Sequence, residues 1–373
     1  MIRTNTTKTN SRNIIYSYLY QINTPLTKQQ IMLDLGLSLP TVTNNINQMI
    51  KEGLLKQGID EESKVAIGRK PRAISINEEA SFAIGIDISQ SHVTFVVTTL
   101  LGELKSTQIR DFEFENTTSY YTQLMQFAYR FIQLSEIEFQ KVIGIGISLP
   151  GIISTNPNTI VFSPELGIEN ELIPKSFNKY LFPVFFESKV NTGGKYEIGL
   201  RNIDSKNLLF LSLEDYVECS FFVNNQLYTG NDGKGMQIGK TYLSKEGNID
   251  EFGKKGTVQS YLSTKALLSS VTDDMSKFTK LYIEKDDKVL KQIEIYVNNL
   301  VRLLANLIYS LNCDIVIGSE LSIFLIDYEK IINKKVFEIT GIDTNNIRIS
   351  KYPKRSSAIG VTYHFINEFI SQI

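Results

Sequence analysis

The chain has 373 residues, enough for two or three domains, and is 42% hydrophobic and 21% charged. That composition excludes a disordered, collagen-like or coiled-coil chain, and the sequence has neither a membrane-length apolar run nor the apolar core of a secretory signal, so a cytoplasmic setting is expected. The net charge of −1 is unevenly spread: residues 1–72 carry ten basic and five acidic side chains, so the rest of the chain has six more acids than bases.

Residues 11–22 place Ile14, Ile15, Tyr18, Leu19 and Ile22 on one face of a helix. After Thr24-Pro25, Thr27 suits an N-cap for a second helix with Ile31, Met32 and Leu35 inward, and Gly36 suits its end. Ser38 caps a third helix, with Pro40 in its first turn and Val42, Ile46, Met49 and Ile50 inward. The outward face carries Thr41, Thr43, Asn44, Asn47 and Gln48. Two helices joined by a tight turn, the second polar on its outer face, describe a helix-turn-helix. Asn and Gln bond bidentately to adenine and a Thr methyl meets the thymine methyl, whereas this helix has no Arg for guanine. Two short alternating strands around LLKQG and RAISIN then form a wing, with Gly68-Arg69-Lys70-Pro71-Arg72 as a basic element for phosphate or a narrow minor groove. The candidate DNA contacts are Ser38, Thr41, Thr43, Asn44, Asn47, Arg69, Lys70 and Arg72.

From residue 83 two β-branched runs, a weaker third, a helix over 117–136 and the buried run VIGIGISLPGII follow one another. A similar order returns after residue 207, with LLFLSLE, YVECSFFVNN, QLYTG, a long helix over 289–312 and CDIVIGSEL. Two such halves predict a duplicated α/β fold with a cleft between lobes, the default place for a small ligand. Cys219 and Cys313 lie in apolar strand contexts and read as core. The last helix has Ile359, Tyr363, Phe365, Ile366 and Phe369 on a broad apolar face, suited to docking on the body or across a dimer.

Across almost its whole length the sequence resembles the ROK family of repressors, open reading frames and sugar kinases, nearest to its repressor branch. The matching segments are SLPTVTNNINQMIKEGLL, GRKP, IGIDIS, IGIGISLPG, FFESKVNTGGKYEIGL, MQIGK and IYSLNCDIVIGSELS. The resemblance implies a winged helix-turn-helix followed by a two-lobed actin-like, hexokinase-like ATPase fold with ribonuclease-H-like duplicated lobes. The expected domains are residues 1–78, 79–190 and 191–373, with the C-terminal helix able to return to the first lobe. Regulators of the family are commonly dimers or tetramers that release DNA on binding sugar.

The departures from the family pattern bear on chemistry. Asp87 is followed by Ile88, Ser89, Gln90 and Ser91 rather than a glycine-rich phosphate turn, and the second such turn corresponds to Asp215–Ser220, where Glu218 repels phosphate. The family's Glu-Asn-Asp-Ala-Asn stretch reads Glu187, Ser188, Lys189, Val190, Asn191, so Lys189 stands where the general base is expected, and a protonated lysine accepts no proton. The zinc and sugar block becomes Gln237, Gly239 and Lys240, with Thr257 at a cysteine position and Gln259 at a glutamate. These changes argue against zinc, ATP use and catalysis, so no cofactor is expected.

The expected protein is therefore a repressor of carbohydrate-related genes, a homodimer or dimer of dimers on a pseudo-palindromic, A·T-leaning operator. Its candidate effector cleft comprises Ser188, Lys189, Asn191, Gln237, Lys240 and Gln259. The effector is expected to be a small carbohydrate or an anionic sugar derivative: four of the substitutions move the local charge in the positive direction, which suits a sugar phosphate or sugar acid, unless Lys189 pairs with Glu187 or Glu197. The competing readings are a sugar kinase with a rearranged site and a regulator controlled by a protein partner above a vestigial cleft.

Overall fold

A computed structural model describes residues 3–59, 72–155, 158–200, 207–230, 235–319, 321–342, 347–350 and 353–373, without the side chains of 3–10, 59, 155, 176, 178, 353 and 354. The chain opens with α1 (Arg3–Ile22), α2 (Lys28–Leu35) and α3 (Leu39–Lys51). Thr27 and Gln30 close a capping box at the start of α2, and Gly36 ends it at φ 62°, a left-handed turn that costs glycine little. The Ser38 hydroxyl accepts from Thr41 N–H and starts α3. Val42, Ile46 and Met49 are fully buried.

On α1 the buried residues are Ile15, Tyr16 and Leu19, whereas Ile14 and Ile22 are 40% and 44% exposed. The face expected from sequence is thus rotated. Tyr18 turns outward and donates its hydroxyl to Asp34 of α2 at 2.6 Å. The other flank of α1 meets the end of the chain: Asn13 Nδ2 donates to the carbonyl of Ile370 at 2.8 Å. The wing is an antiparallel pair of β1 (Leu55–Ile59) and β2 (Arg72–Ile76). Residues 60–71, with Arg69 and Lys70, lie outside the described residues.

The body holds two five-stranded sheets of the same topology. The first is built from β3 (Phe82–Ile88), β4 (His92–Thr99), β5 (Leu104–Asp111), α4 (Thr118–Leu134), β6 (Val142–Leu149), a small sheet of β7 (Ile152–Thr155), β8 (Asn158–Ser163) and β9 (Ile168–Leu172), and β10 (Val184–Ser188). It leads into α5 (Lys189–Gly199). The second uses β11 (Leu208–Leu213), β12 (Val217–Val223) and a two-residue β13 (Gln226–Leu227). Then come α6 (Val258–Leu262), α7 (Thr264–Leu268), α8 (Met275–Ile283), α9 (Asp287–Leu311), β14 (Asp314–Gly318), α10 (Ser322–Leu325), α11 (Glu329–Thr340), β15 (Ile347–Ile349) and α12 (Pro353–Ser371). The strand orders are β5-β4-β3-β6-β10 and β13-β12-β11-β14-β15. In both, three antiparallel strands are followed by two parallel ones, the sheet version of the repeat seen in the sequence.

The last helix, α12, packs on the first sheet and on α5, far from it in sequence. The glycines of the IGID and IGIG runs make this possible. A Cβ on Gly85 would lie 1.8 Å from the carbonyl oxygen of Ala358, and one on Gly146 would meet Val361 at 2.7 Å. Gly360 of α12 in turn touches the backbone of α5, where a Cβ would sit 1.8 Å from Thr192 O. Side chains of α1, α3 and the wing then share one continuous core with Tyr196 of α5 and with Ile359, Ile366 and Ile370 of α12. The helix-turn-helix is therefore packed against the body rather than strung from it.

Candidate functional site

On α3, Asn44 and Asn47 are exposed and Thr41 and Thr43 half-buried. Thr41, Asn44 and Gln48 follow the i, i+3, i+7 spacing of one helical stripe. Asn47 Oδ1 accepts from Lys28 Nζ at 2.7 Å, and Gln48 donates to Glu52 at 2.9 Å. The Ser38 hydroxyl sits 2.8 Å from that of Thr41 at the positive end of the helix, where an anion is favoured. Arg72 opens β2, exposed, with one nitrogen 3.4 Å from Gln57 Oε1. The fold thus places Ser38, Thr41, Thr43, Asn44 and Asn47 on one helix and its cap, and Arg72 on the wing beside it.

The cleft lies where the carboxyl ends of β3, β6 and β10 face the β11–β12 hairpin. Parallel strands end there, and a crevice at such ends is where open α/β sheets hold ligands. A cavity of about 110 Å³ occupies it, and Ser188, Asn191, Gln237, Lys240 and Gln259 line its walls. Lys189 instead lines an adjoining void of about 20 Å³, with Glu165, Glu214 and Glu218. Glu218 lines both. Three aromatic side chains that the sequence did not single out, Phe162, Tyr216 and Phe252, complete the cavity wall. They come from separate loops and strands, so no periodic signal marks them.

Most polar groups here are engaged within the protein. Glu187 is the anchor of the first wall: it accepts from Ser188 N–H and Asn191 Nδ2, each at 3.0 Å, and from Lys195 Nζ at 2.9 Å. Gln259 donates to Asp215 O at 2.7 Å and to Glu251 at 2.6 Å, and accepts from Val217 N–H at 2.7 Å. Lys240 lies over the Phe162 ring, its nitrogen 5.2 Å from the centroid.

Lys189 pairs with Glu214 at 3.1 Å, not with Glu187 or Glu197. Glu197 instead accepts from Ser350, and Glu187 belongs to Lys195. Burial opposes the charge of Lys189, but Glu214, Asp87 and Glu165 outweigh it and hold the pKa above the ordinary lysine value. Burial, then Glu214 and Glu165, push Glu218 up to about 7 against the pull of Lys189. Glu165 is raised to about 7 as well, by burial, with Glu214, Asp87 and Asp215 adding and Lys189 opposing. Asp87 is raised chiefly by burial, and one of its carboxylate oxygens has no hydrogen-bond partner. The positive cleft expected from the substitutions is thus corrected: the added lysine is matched by carboxylates from both lobes. The signal was present in the sequence as Leu213-Glu214-Asp215, a pair of acids between two strands.

Neither zinc nor nucleotide phosphate fits these residues. Where the resemblance implies zinc ligands, the Asp250 carboxylate accepts from Phe252 N–H (3.0 Å), Lys254 N–H (2.8 Å) and Thr257 Oγ1 (2.7 Å). Thr257 also caps α6. A hydrogen-bonded carboxylate clip with no thiolate or imidazole offers zinc no suitable donor set. Cys219 and Cys313 are buried in the core, where burial pushes their thiols up to about 12 and about 11. In the β3–β4 turn, Ser89 N–H donates to His92 O at 3.0 Å and Ser89 Oγ meets His92 Nδ1 at 2.8 Å, so the turn closes on itself instead of opening a phosphate cradle. Among the described residues no helix is long and apolar enough to cross a membrane.

The chain is 28% identical to the xylose repressor of Bacillus subtilis (strain 168) over 261 residues, 69% of this chain and 67% of that protein. Its fold matches the crystal structure of a ROK family transcriptional regulator, a homologue of the E. coli MLC protein, with a TM-score of 0.75 at 15% identity, over 98% of this chain and 97% of that one. A ROK hexokinase from Thermus thermophilus matches with a TM-score of 0.63 at 16% identity, over 77% of this chain and 99% of its own. The hexokinase is covered almost completely while part of this chain is left over, as expected of a kinase-like body joined to an additional head. Residues 83–367 match the ROK family, and the chain belongs to it.

Proposed function

We propose that the chain is a DNA-binding transcriptional repressor of carbohydrate-related genes, acting in the cytoplasm, whose body binds a small neutral sugar and does not phosphorylate it. The observation that carries this reading is the continuous core joining α3 to α12 and to α5, the helix whose first turn lines the cavity. An exposed polar face on α3 and a sugar-sized cavity then belong to one packed unit. The xylose repressor supports a pentose as the first sugar to test.

In this reading Asn44 and Asn47 meet base edges, with Thr41 and Thr43 against thymine methyl groups and Ser38 on phosphate. Arg72 contacts the backbone or minor groove, together with Arg69 and Lys70 of the basic run. A twofold dimer, or a pair of such dimers, sets two α3 helices about 34 Å apart on a pseudo-palindromic operator. Residues 1–78 serve as the reading head, with 79–190 and 191–373 as the lobes. Catalysis is unsupported because Lys189, held charged, stands where the resemblance implies the base. The aromatic wall of Phe162, Tyr216 and Phe252 gives a sugar ring an apolar face to stack on.

Capture and sequencing of genomic fragments bound by the purified protein tests the reading. The expected result is a few palindromic sites, released by a neutral sugar, with no sugar-dependent ATP consumption. ATP turnover would return the chain to the kinases, and failure to enrich any DNA would make the head a docking module. Asn44→Ala should cost about 1–3 kcal/mol at one operator position and relax its sequence preference. Unchanged affinity and preference in a binding assay would remove Asn44 from the readout.

A further inference from the structure

The two ends of the cavity differ in charge. Lys240 is exposed at the rim, over Phe162. At the inner end Glu218, on β12 opposite Ser212 of β11, lines both the cavity and the void behind it. Glu165 and Glu214 line that void, and buried Asp87, at the end of β3, acts electrostatically on Glu165. Four carboxylates thus converge on the ammonium of Lys189, and that ammonium makes its ion pair with Glu214. His92 offsets Asp87 from the neighbouring turn. Among the described residues, Lys189 is taken up by Glu214, which leaves Glu218, Glu165 and Asp87 without a cation of their own, so the inner end turns negative as these carboxyls ionise, among side chains that are buried or half-buried.

We propose that Glu218 makes the inner end of the cavity a filter that admits a sugar hydroxyl and rejects the same sugar once that hydroxyl carries a negatively charged group. The inference rests on the reading of the cleft as the effector site. A hydroxyl donates a hydrogen bond to the carboxylate, whereas a phosphate monoester dianion on that oxygen, or a carboxylate in its place, offers only acceptors and a like charge. The protein then senses the free sugar and ignores the phosphorylated product. The filter depends on pH through its own carboxyls. Burial and the neighbours Glu214 and Glu165 raise Glu218 to about 7, and Glu165 is raised to about 7 alongside it. A raised carboxyl is neutral below that value and charged above it, so rejection is strongest above pH 7 and fades on acidification.

Isothermal titration of the full chain with D-xylose, D-glucose, D-glucose 6-phosphate and D-glucuronate tests this, with Glu218→Gln and Glu165→Gln beside the wild type. Glucuronate keeps its charge down to pH 5.5, so its pH profile reports the protein and not the ligand. The expected result at pH 8 is that the charged sugars bind about 100-fold more weakly than the better neutral one, a gap that closes at least tenfold in Glu218→Gln. Glucuronate affinity should rise from pH 8 to pH 5.5 in the wild type and rise much less in that variant, which keeps Glu165 but not the carboxylate that meets the ligand. Glu165→Gln, which keeps Glu218 and removes one of its repulsive neighbours, should shift the profile to lower pH. Equal affinity for glucose and its phosphate, or a gap unmoved in both variants, overturns the filter and leaves the effector reading standing. Binding of none of the four by the folded protein removes the effector reading and the filter with it.

Discussion

Asn44 on α3 and Gln259 on α6 are both amides singled out from the sequence, and the fold treats them in opposite ways. Asn44 stands exposed on a helix whose other face is the core. Gln259 is 4% exposed and satisfied on both amide atoms by Asp215, Glu251 and Val217. The contrast runs through the two regions. A polar group in water needs no internal partner and remains free to read an external one, whereas a buried polar group left unpaired costs about 1–3 kcal/mol. On the head Asn44 stays open and Asn47 and Gln48 make exposed hydrogen bonds, which an external group can replace at little cost, whereas the cleft has settled most of its own contacts in buried positions. A ligand in the cleft gains from the aromatic wall and a few remaining groups, not from every polar residue that the sequence places there.

The sharpest way to break the comparison is to damage each region through its support. Ile46→Ala empties a fully buried position on the inner face of α3. Lost burial and the cavity left behind should cost about 2–5 kcal/mol. The core there is continuous with α12, so urea unfolding should show a lower midpoint for the whole molecule and operator binding should fall with it. A separate early transition, with the body unaffected, would mean that the head unfolds alone.

In the cleft the matching test is Asp250→Ala. It removes the acceptor of three hydrogen bonds, 8% exposed, and leaves Thr257 and two backbone donors without their partner. A loss of about 1–3 kcal/mol is expected, together with weaker sugar binding, because Thr257 starts the helix that carries Gln259. Chelators should leave the wild-type melting temperature unchanged. A fall on chelation would show that this loop is held by a metal after all.

How legible each region is in the sequence follows from the range of its interactions. Thr27, Gly36, Ser38 and Pro40 act within one or two turns, so the helices of the head, their caps and the buried stripe of α3 can be read locally. The face of α1 cannot, since Asn13 meets Ile370 and the helix must serve α3 on one side and the chain's end on the other. The repeated strand order is visible as a pattern of runs, but the reason for the glycines at 85 and 146 emerges only once α12 lies on them. Resemblance locates Ser188, Lys189, Asn191, Gln237, Lys240 and Gln259 near one cleft. The partners that decide their chemistry are distant: Lys189 with Glu214 across the lobes, and Asp87 with both. Electrostatic pairing of this kind has no sequence period, and the expected positive cleft fails for that reason.

The smallest expected effect tests whether the head is as local as its sequence suggests. Thr27 and Gln30 exchange three hydrogen bonds at the start of α2: the Thr27 hydroxyl accepts from Gln30 N–H at 3.3 Å and donates to Gln30 Oε1 at 2.8 Å, and Gln30 Oε1 also accepts from Thr27 N–H at 2.7 Å. Thr27→Ala removes the two made by the hydroxyl and should cost about 0.5–2 kcal/mol of stability. Thr27→Ser keeps an oxygen in place and should remain within a few tenths of the wild type. Since α2 supports α3 from behind and Thr27 lies off the recognition stripe, operator preference should be unchanged in both variants, with affinity lost only as far as the head unfolds. If serine is as damaging as alanine, the threonine methyl and its packing matter more than the cap. If alanine changes which operators are chosen, the start of α2 itself contributes to the reading face, and that face is wider than α3 and the wing.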